Sequence, residues 1–140
     1  MSKAYWEHYS HPADMGIRGF GPTKEEAFTQ AALAMTAIIT ELRTVEPDEE
    51  VEISCEEQDE ELLFVTWLNS LLYEMATRRM LFSKFEVEIE NNQLKTRAWG
   101  ENIDLEKHSP SVEVKAATYA DLKVEQDKDG NWLVQCIVDV

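Results

Sequence analysis

The sequence contains few of the residues that crosslink or interrupt a fold: two cysteines, five glycines and four prolines among 140 residues. A disulfide framework or a zinc site, which needs about four ligands, cannot be built from Cys55 and Cys136 alone, so we expect both to be reduced thiols of the core. No apolar run approaches the ~20 residues of a membrane helix, and the first ten residues, MSKAYWEHYS, lack the apolar centre of a signal peptide. We therefore expect a cytoplasmic protein that makes no membrane contact.

Basic residues are also scarce: 13 lysines and arginines stand against 28 aspartates and glutamates, for a formal net charge of −15. A protein that binds nucleic acid directly carries a basic stripe that neutralises phosphates, and this sequence has none. Its densest basic pair, Arg78-Arg79, is predicted to lie in the last turn of a helix. Residues 41–61 hold eleven acidic residues and one basic residue, so this segment is either a solvated connection or a surface that steers the chain towards a basic partner.

Hydrophobic residues make up 44% of the chain, enough for the core of one domain that spans residues 1–140. One helix is predicted to begin at Thr23, where Glu26 completes a capping box, and a second near Asp59. Apolar residues then recur at helical spacing. In the first helix they are Phe28, Ala31, Met35, Ile38, Ile39 and Leu42, and in the second Leu63, Phe64, Trp67, Leu68, Leu71, Leu72 and Met75.

Alternating polar and apolar residues predict strands in most of the remaining sequence. The predicted strands are 4–9, 15–20, 51–55, 84–90, 94–98, 112–116, 119–125 and 132–138. Asn91-Asn92 and Asp129-Gly130 are typical of hairpin turns. Because the helices come early and hairpin-linked strands come late, the order favours an α+β fold with two helices packed on antiparallel sheet.

The sequence lacks the motifs of a nucleophile elbow, a phosphate loop, a dinucleotide site or a zinc protease. One unusual segment lies at residues 10–16, where a proline stiffens the turn between two predicted strands. This turn could present the Asp14 carboxylate at a fixed angle, with the His11 imidazole nearby. The alternative is an ordinary turn in which Asp14 accepts hydrogen bonds from backbone amides.

Two further places are candidates for chemistry. Lys115 lies in the alternating segment 112–116, on the face opposite Val112, and is either functional or a solvated lysine. The last strand runs to the final residue, which sets the Asp139 side chain beside the α-carboxylate of Val140. Two such anions repel unless a cation or donors lie between them, and Ca²⁺ or Mg²⁺ takes oxygen ligands of this kind; the alternative is a frayed chain end.

These segments, taken in order, resemble the motifs of the archease family. Ser10-His11-Pro12-Ala13-Asp14-Met15-Gly16-Ile17 resembles the family's H-T-A-D-[IV] motif, with Pro12 where many members carry threonine. The other matches, in chain order, are Glu25-Glu26-Ala27-Phe28, Leu63 to Tyr73, Gly100-Glu101, Lys107-His108, Val114-Lys115-Ala116-Ala117-Thr118-Tyr119 and Val138-Asp139-Val140. The resemblance covers nearly the whole chain.

The resemblance implies an α+β accessory protein, not an enzyme, that acts on the RtcB-type RNA ligase of tRNA splicing and RNA repair. Such proteins promote GTP-dependent guanylylation of the ligase histidine and allow multiple turnover, and they reach RNA only through the ligase. The family's ligands for a divalent metal (Ca²⁺ first, Mg²⁺ or Mn²⁺ otherwise) fall on Asp14, Asp139 and the Val140 carboxylate. Its functional lysine falls on Lys115, with Lys107 as a rival.

Two other classes of function remain open on the sequence. A metal-dependent phosphoester hydrolase would use Asp14, His11 and Asp139 and would turn over substrate on its own. A general chaperone or interaction module would be fully active without metal. The acidic composition agrees with the accessory protein of an RNA ligase, because a chain with no basic stripe should reach RNA through a partner.

Overall fold

The computed structural model describes residues 3–140 and places two long helices between two antiparallel sheets. In chain order the elements are β1 (Tyr5–His11), β2 (Asp14–Gly21), α1 (Lys24–Ile39), a 3-10 turn (Leu42–Thr44), β3 (Glu49–Glu56), α2 (Glu60–Arg78), β4 (Met80–Glu90), β5 (Gln93–Asn102), α3 (Leu105–His108), β6 (Ala116–Ala117), β7 (Lys123–Gln126) and β8 (Trp132–Asp139). The first sheet has the order β1-β2-β8-β6, with β7 also paired to β8, and the second has the order β3-β5-β4. The predicted α+β class is confirmed.

Both helices begin where the sequence predicts. Thr23 Oγ1 accepts a hydrogen bond from the Glu26 amide at 3.1 Å, and Asp59 Oδ1 accepts one from the Leu62 amide at 2.8 Å, so each side chain satisfies an amide of the first turn. The apolar faces meet in one continuous core, in which the ring centroids of Phe28 and Trp67 lie 5.9 Å apart. None of the helices in residues 3–140 is long and apolar enough to cross a membrane.

Helix α1 returns along β2, and one glycine allows the close approach. A Cβ at Gly19 would lie 2.2 Å from the carbonyl oxygen of Ala27, so a larger residue would push the helix off the strand. Further along, Nε2 of His8, whose strand neighbour is Ile17, lies 2.7 Å from the carbonyl oxygen of Ala34. The helix is therefore antiparallel to β2, and its C-terminus lies beside the β1–β2 turn.

Helix α2 begins near the start of α1, because the Lys24 ammonium pairs with the Glu60 carboxylate at 2.6 Å. It ends beside the end of β5, where the Ile103 amide donates to the carbonyl oxygen of Arg79 at 2.8 Å. We call the end of the molecule that holds the C-termini of α1, α2 and β8, together with the β1–β2 turn, the lower end. The negative ends of two helix dipoles lie there, which favours cations.

The first helix is shorter than predicted. It ends at Ile39, and Leu42 lies in the separate 3-10 turn. Thr40 has an extended backbone, and its Oγ1 donates to the carbonyl oxygen of His108 at 2.6 Å. This contact with a distant segment holds Thr40 outside the helix. The apolar periodicity in the sequence therefore extends to Leu42, although the helix ends at Ile39.

The prediction of a strand over 112–116 is wrong except at its end, because only Ala116–Ala117 pairs in a sheet. The Ser111 amide donates to the carbonyl oxygen of Ile39 at 2.9 Å, so this segment first follows the end of α1 and reaches β8 late. Val112, predicted on a buried face, is 40% exposed, whereas Val114 is buried. The alternation of polar and apolar residues over 112–116 therefore occurs in a segment that is mostly not a strand.

The predicted strand 119–125 is also displaced. Residues 119–122 form a turn in which the Leu122 amide donates to the carbonyl oxygen of Tyr119 and Asp121 has a φ of 56°, and β7 starts only at Lys123. The hairpin after it is confirmed, with Gly130 at a φ of 86°. The remaining strands are confirmed, most of them longer than predicted.

The two cysteines are unpaired in the described part of the chain, as predicted. Cys136 is buried in the core, and burial raises the pKa of its thiol to about 12. Cys55 is half-buried, and burial followed by the charge of Glu57 raises its pKa to about 11. Both thiols therefore stay protonated at neutral pH.

Candidate metal centre at the lower end

Three strands bring the two candidate aspartates together. The β2–β8 ladder pairs Met15 with Val138, and the same antiparallel register, continued by one residue, sets Asp14 opposite Asp139. The β1–β2 hairpin pairs His11 with Asp14. Neighbouring side chains in such a row lie about 4.5–5.5 Å apart at Cβ, so residues separated by more than a hundred positions in sequence become neighbours.

On the far side of β8, Asp139 pairs with Ala116 of β6. His11, Asp14, Asp139 and Ala116 thus form one row across four strands, which we call the outer row. The next residue along β8, Val138, is fully buried in the core, and side chains alternate between the two faces of a strand. The outer row therefore lies on the sheet face turned away from the helices.

The side chains of the outer row are open to solvent and unengaged. His11 and Asp139 are exposed and Asp14 is half-buried. Across residues 3–140, none of these three side chains takes part in a hydrogen bond or ion pair. The alternative in which Asp14 caps backbone amides of an ordinary turn is therefore wrong, since Asp14 is the first residue of β2.

Lys115 and Val140 lie beside this row. The Lys115 amide donates to the carbonyl oxygen of Asp139 at 2.8 Å, which places Lys115 next to Val140, and both residues are exposed. Strand pairing extends through Asp139, so a frayed end does not describe β8. Of the two alternatives that the sequence left open, the structure shows the one in which Asp139 is held in a sheet beside the last residue.

The donor chemistry of this end suits a hard cation. Carboxylate oxygens are the ligands that Ca²⁺ and Mg²⁺ prefer, and Asp14, Asp139 and the Val140 carboxylate are all of this type. Within the described residues no three His, Cys, Asp or Glu side chains form a metal-binding group. A complete coordination shell would thus need the terminal carboxylate, water or a partner in addition to the two aspartates.

A group of side chains that the sequence did not predict lies next to the outer row on the same sheet face, and we call Tyr9, Arg18 and Asp121 the aromatic brace. The Tyr9 ring covers Gly16, where a Cβ would lie 2.4 Å from the ring. Its hydroxyl donates to Asp121 Oδ2 at 3.3 Å, and the Arg18 guanidinium lies 4.2 Å from the ring centroid. Burial, followed by the charge and hydrogen bond of Asp121, raises the Tyr9 pKa to about 12. Glycine inside a predicted strand was the available signal for this close contact.

Polar bonds continue the brace across three strands. Arg18 Nε donates to Gln135 Oε1 at 2.8 Å, and its Nη1 pairs with Glu7 Oε1 at 2.6 Å. The buried Gln135 in turn donates from Nε2 to the carbonyl oxygen of Asp121 at 3.0 Å. These bonds tie β1, β2 and β8 together and leave the outer row at the edge of a fixed surface.

A second polar cluster lies at the same end, against the C-terminus of α1. Glu101 Oε2 accepts from Lys107 Nζ at 2.7 Å, from His108 Nε2 at 3.0 Å and from the Glu46 amide at 2.8 Å. The Asp104 amide donates to His108 Nδ1 at 2.9 Å, which leaves the proton of the neutral imidazole on Nε2. We call this group the Glu101 cluster.

The Glu101 cluster is electrostatically closed. The hydrogen bonds from Lys107, the Glu46 amide and His108 lower the Glu101 pKa to about 2. The hydrogen bond to Glu101 in turn raises the Lys107 pKa. The ring of His108 is buried. The two rival lysines therefore differ: Lys107 is ion-paired, whereas the Lys115 ammonium makes no ion pair with any described residue.

Comparison with protein families decides the relationship of this chain. The model of the Archease protein family matches residues 6–140. The chain belongs to the archease family. Protein archease of Pyrococcus furiosus is 44% identical over 139 residues, covering 96% of this chain and 98% of the relative. Protein archease of Sulfolobus acidocaldarius is 39% identical over 137 residues, with 96% and 98% covered.

Solved structures agree with the archease fold. The solution structure of protein 1598 of Methanobacterium thermoautotrophicum matches with a TM-score of 0.84 at 35% identity, covering 96% of this chain and 98% of that one. The crystal structure of a Thermotoga maritima protein, described as an archease and possible chaperone, matches with a TM-score of 0.62 at 21% identity, covering 96% of each chain. The latter supports the fold alone.

Within this archease fold, the predicted site residues fall into two groups. His11, Asp14, Asp139, Val140 and Lys115 come together at and beside the outer row. Lys107 belongs to the neighbouring Glu101 cluster, where Glu101 and His108 had been noted only as motif matches. The roles of Tyr9 and Arg18 were not predicted from the sequence.

Proposed function

We propose that this archease-family chain activates an RtcB-type RNA ligase in tRNA splicing or RNA repair. It acts as a protein cofactor that promotes GTP-dependent guanylylation of the ligase histidine and multiple turnover, and it reaches RNA only through the ligase. The observation that carries the proposal is the outer row, in which two unengaged carboxylates from distant motifs are neighbours on adjacent strands. The net charge of −15 agrees with a chain that does not hold RNA itself.

The proposal includes a divalent cation held by Asp14, Asp139 and the α-carboxylate of Val140, with Ca²⁺ preferred and Mg²⁺ or Mn²⁺ as alternatives. Such an ion supplies positive charge against phosphate oxygens and carboxylates when it is bound. The two aspartates fit this role because no protein group competes for their oxygens in the described structure. The helix dipoles that end nearby add to the negative potential that attracts a cation.

The other residues of the lower end have proposed roles towards the partner. His11 pairs in register with Asp14, and its exposed imidazole lies beside the proposed metal ligands, where a partner can contact it. Lys115, next to the last residue, is the first candidate to contact a phosphate or a partner carboxylate, because its ammonium has no ion pair with any residue of 3–140. Lys107 is the second candidate and would have to leave Glu101 to do so.

The test is a guanylylation assay on the ligase captured from the source lysate, with GTP and added archease chain. Asp14→Ala should abolish activation while the melting temperature without metal changes little, since no hydrogen bond is lost. Asp129→Asn, an exposed aspartate of the β7–β8 hairpin, removes the same charge elsewhere and should activate normally. Normal activation by Asp14→Ala would overturn the assignment.

Terminal tags test the proposed ligand at Val140. A C-terminal extension replaces the α-carboxylate by an amide, which loses the charge that dominates binding of a hard cation. It should weaken both Ca²⁺ or Mn²⁺ affinity and ligase activation, while an N-terminal tag should change neither. Equal affinity and activation for both tagged forms would remove Val140 from the site.

A chaperone function is the second candidate, and the Thermotoga maritima neighbour is described as a possible chaperone; the observation on this chain that favours it is an exposed apolar residue. Leu105, 74% exposed at the lower end, is the kind of apolar residue that such a role would use. Suppression of aggregation of an unrelated unfolded protein, equal with and without metal, would favour it. Turnover of a phosphoester by the isolated chain would instead favour a hydrolase.

A further inference from the structure

Strand β3 has one edge that no described residue covers. It pairs with β5 in an unbroken register from Glu49 to Glu56, and β5 is its only partner in the described sheet. The Glu57 amide donates to the carbonyl oxygen of Asn92. Because alternate residues of an antiparallel strand bond to opposite sides, the backbone groups of Glu50, Glu52 and Ser54 face outward.

A groove runs along this open edge. Its volume is about 500 Å³, and its walls are residues 52–54 of β3 on one side and Thr66, Asn69, Ser70, Tyr73 and Glu74 of α2 on the other. Tyr73 lines the groove, and its side chain is 66% exposed. An added strand at β3 would therefore have one face beside the glutamates of the sheet and the other beside the Tyr73 ring.

Other sheet edges lack this combination. β4 has a register irregularity between Phe82 and Lys84, and a bulge and an edge lysine are both devices that block strand addition. β3 has no bulge, proline or lysine between Glu49 and Glu56. The edge of β1 is also regular, but its one glutamate, Glu7, is ion-paired with Arg18. β3 thus combines regular geometry and a groove with four glutamates, at positions 49, 50, 52 and 56, and no basic residue in the strand.

Charge selects the occupant of the edge. A second copy of this chain would pair β3 with β3, and in any antiparallel register the outward glutamates 50, 52 and 56 would face acidic residues or Ser54. Like charges directly opposite each other destabilise a strand pair, whereas opposite charges stabilise it. A strand with lysine or arginine at alternate positions would complement β3.

We infer that the open edge of β3 binds an extended segment of a partner protein that alternates basic and apolar residues, by adding it as a fourth strand of the second sheet. Backbone hydrogen bonds to Glu50, Glu52 and Ser54 give affinity. The basic side chains pair first with Glu52, which has no ion pair with a described residue, and then with Glu50 and Glu56, which already contact Arg97 and Gln93 within the sheet. The apolar side chains lie in the groove against Tyr73, where a lysine or arginine end can also contact the ring. The inference uses neither the outer row nor a metal.

The probe is an eight-residue acetylated and amidated peptide of alternating lysine and valine. Its binding should slow amide exchange of Glu50, Glu52 and Ser54, because these protons become hydrogen-bonded. The residues directly opposite Glu50, Glu52 and Ser54 are the lysines, so their amides face β3. The same peptide with its lysine residues N-methylated keeps its charge but loses these donors, and should bind roughly tenfold more weakly. Equal binding of both peptides would overturn strand addition and leave only non-specific charge attraction.

Matched variants locate the site. Glu52→Lys and Glu88→Lys make the same charge change on the same sheet, and neither glutamate has an ion pair with a described residue. Glu52→Lys should weaken peptide binding at least ~fivefold and Glu88→Lys by less than ~twofold. Tyr73→Ala should weaken binding, whereas Tyr119→Ala, 65% exposed and outside the groove, should not. Equal effects within either pair would exclude this edge as the site. The peptide should also bind the metal-free Asp14→Ala variant, which separates this result from the proposed function.

Discussion

The lower end contains two clusters of similar composition, and only one of them satisfies its own polar groups. In the Glu101 cluster a single carboxylate accepts three hydrogen bonds, and Lys107 balances its charge. In the outer row, Asp14 and Asp139 are neighbours that accept no hydrogen bond from any described residue at their carboxylates. A closed network stabilises the fold, whereas neighbouring like charges without partners are costly unless something external binds them.

At the same end of the molecule, the Glu101 cluster therefore has a structural role and the outer row a functional one. The Glu101 cluster joins the segment after the 3-10 turn, the end of β5 and α3, so its loss should loosen the fold around α1. The polar side chains of the outer row make no hydrogen bond or ion pair with a described residue. Their replacement should therefore leave the fold intact and remove a binding property. The predictions that follow test this division from the largest expected effect to the smallest.

Asp139→Asn should have the largest effect. It keeps the size of the side chain and removes one of the proposed anionic ligands, so affinity for Ca²⁺ or Mn²⁺ should fall at least ~tenfold and activation of the ligase should be lost. The melting temperature without metal should stay the same or rise slightly, since repulsion from Asp14 is relieved. Calorimetric titration and thermal melts measure both. A clear loss of stability in the absence of metal would show that Asp139 is structural.

The two lysines provide the next test. Lys115→Ala should reduce guanylylation with little effect on melting, because its ammonium pairs with no group in the described part of the chain. Lys107→Ala should lower the melting temperature, because Glu101 loses the donor that most lowers its pKa. Lys→Arg at each position is the conservative control. If Lys107→Ala abolishes activation at an unchanged melting temperature, Lys107 is the functional lysine and the Glu101 cluster is part of the site.

Glu101→Gln should have a moderate effect with a defined pH dependence. The folded-state pKa of about 2 lies below the ordinary 4.5, so the carboxylate contributes stability above pH 4.5 and loses it as pH falls towards 2. At neutral pH the variant should lose about 1–2 kcal/mol of unfolding free energy, and the difference from wild type should shrink below pH 4.5. Glu106→Gln, an exposed neighbour, is the control. A difference that persists unchanged at pH 2 would indicate a cause other than ionisation.

The sequence predicted the outer row better than the Glu101 cluster, for a physical reason. His11 and Asp14 flank a short turn, so a hairpin alone makes them neighbours, and the apolar run that ends at Val138 predicts a last strand that reaches Asp139. The pairing of β2 with β8 came only from the structure, because it joins the two ends of the chain. The Glu101 cluster requires Glu46 and His108 to meet through the end of α1, a contact with no local pattern.

The errors have a related origin. The alternation of Val112, Val114 and Ala116 has the period of a strand, but the Ser111 amide is satisfied by Ile39 rather than by a ladder. Period alone does not reveal which backbone groups find partners. The same contacts around Ile39 and Thr40 ended α1 before Leu42, so both errors lie where α1 meets α3 and the segment after it.

Tyr9→Phe should have the smallest effect and is the finest test of the division between the clusters. The variant keeps the ring over Gly16 and the contact with Arg18 and removes only the hydrogen bond to Asp121. Stability should fall by about 0.5–1 kcal/mol, and metal affinity of the outer row should fall only slightly, because the backbone pairing of β2 with β8 remains. Tyr5→Phe, whose ring stacks on Phe20 in the same sheet, controls for loss of a tyrosine hydroxyl. If Tyr9→Phe reduces metal affinity as strongly as Asp139→Asn, then the brace and the outer row act as one unit, and the proposed separation between a structural network and an open site does not hold on this sheet.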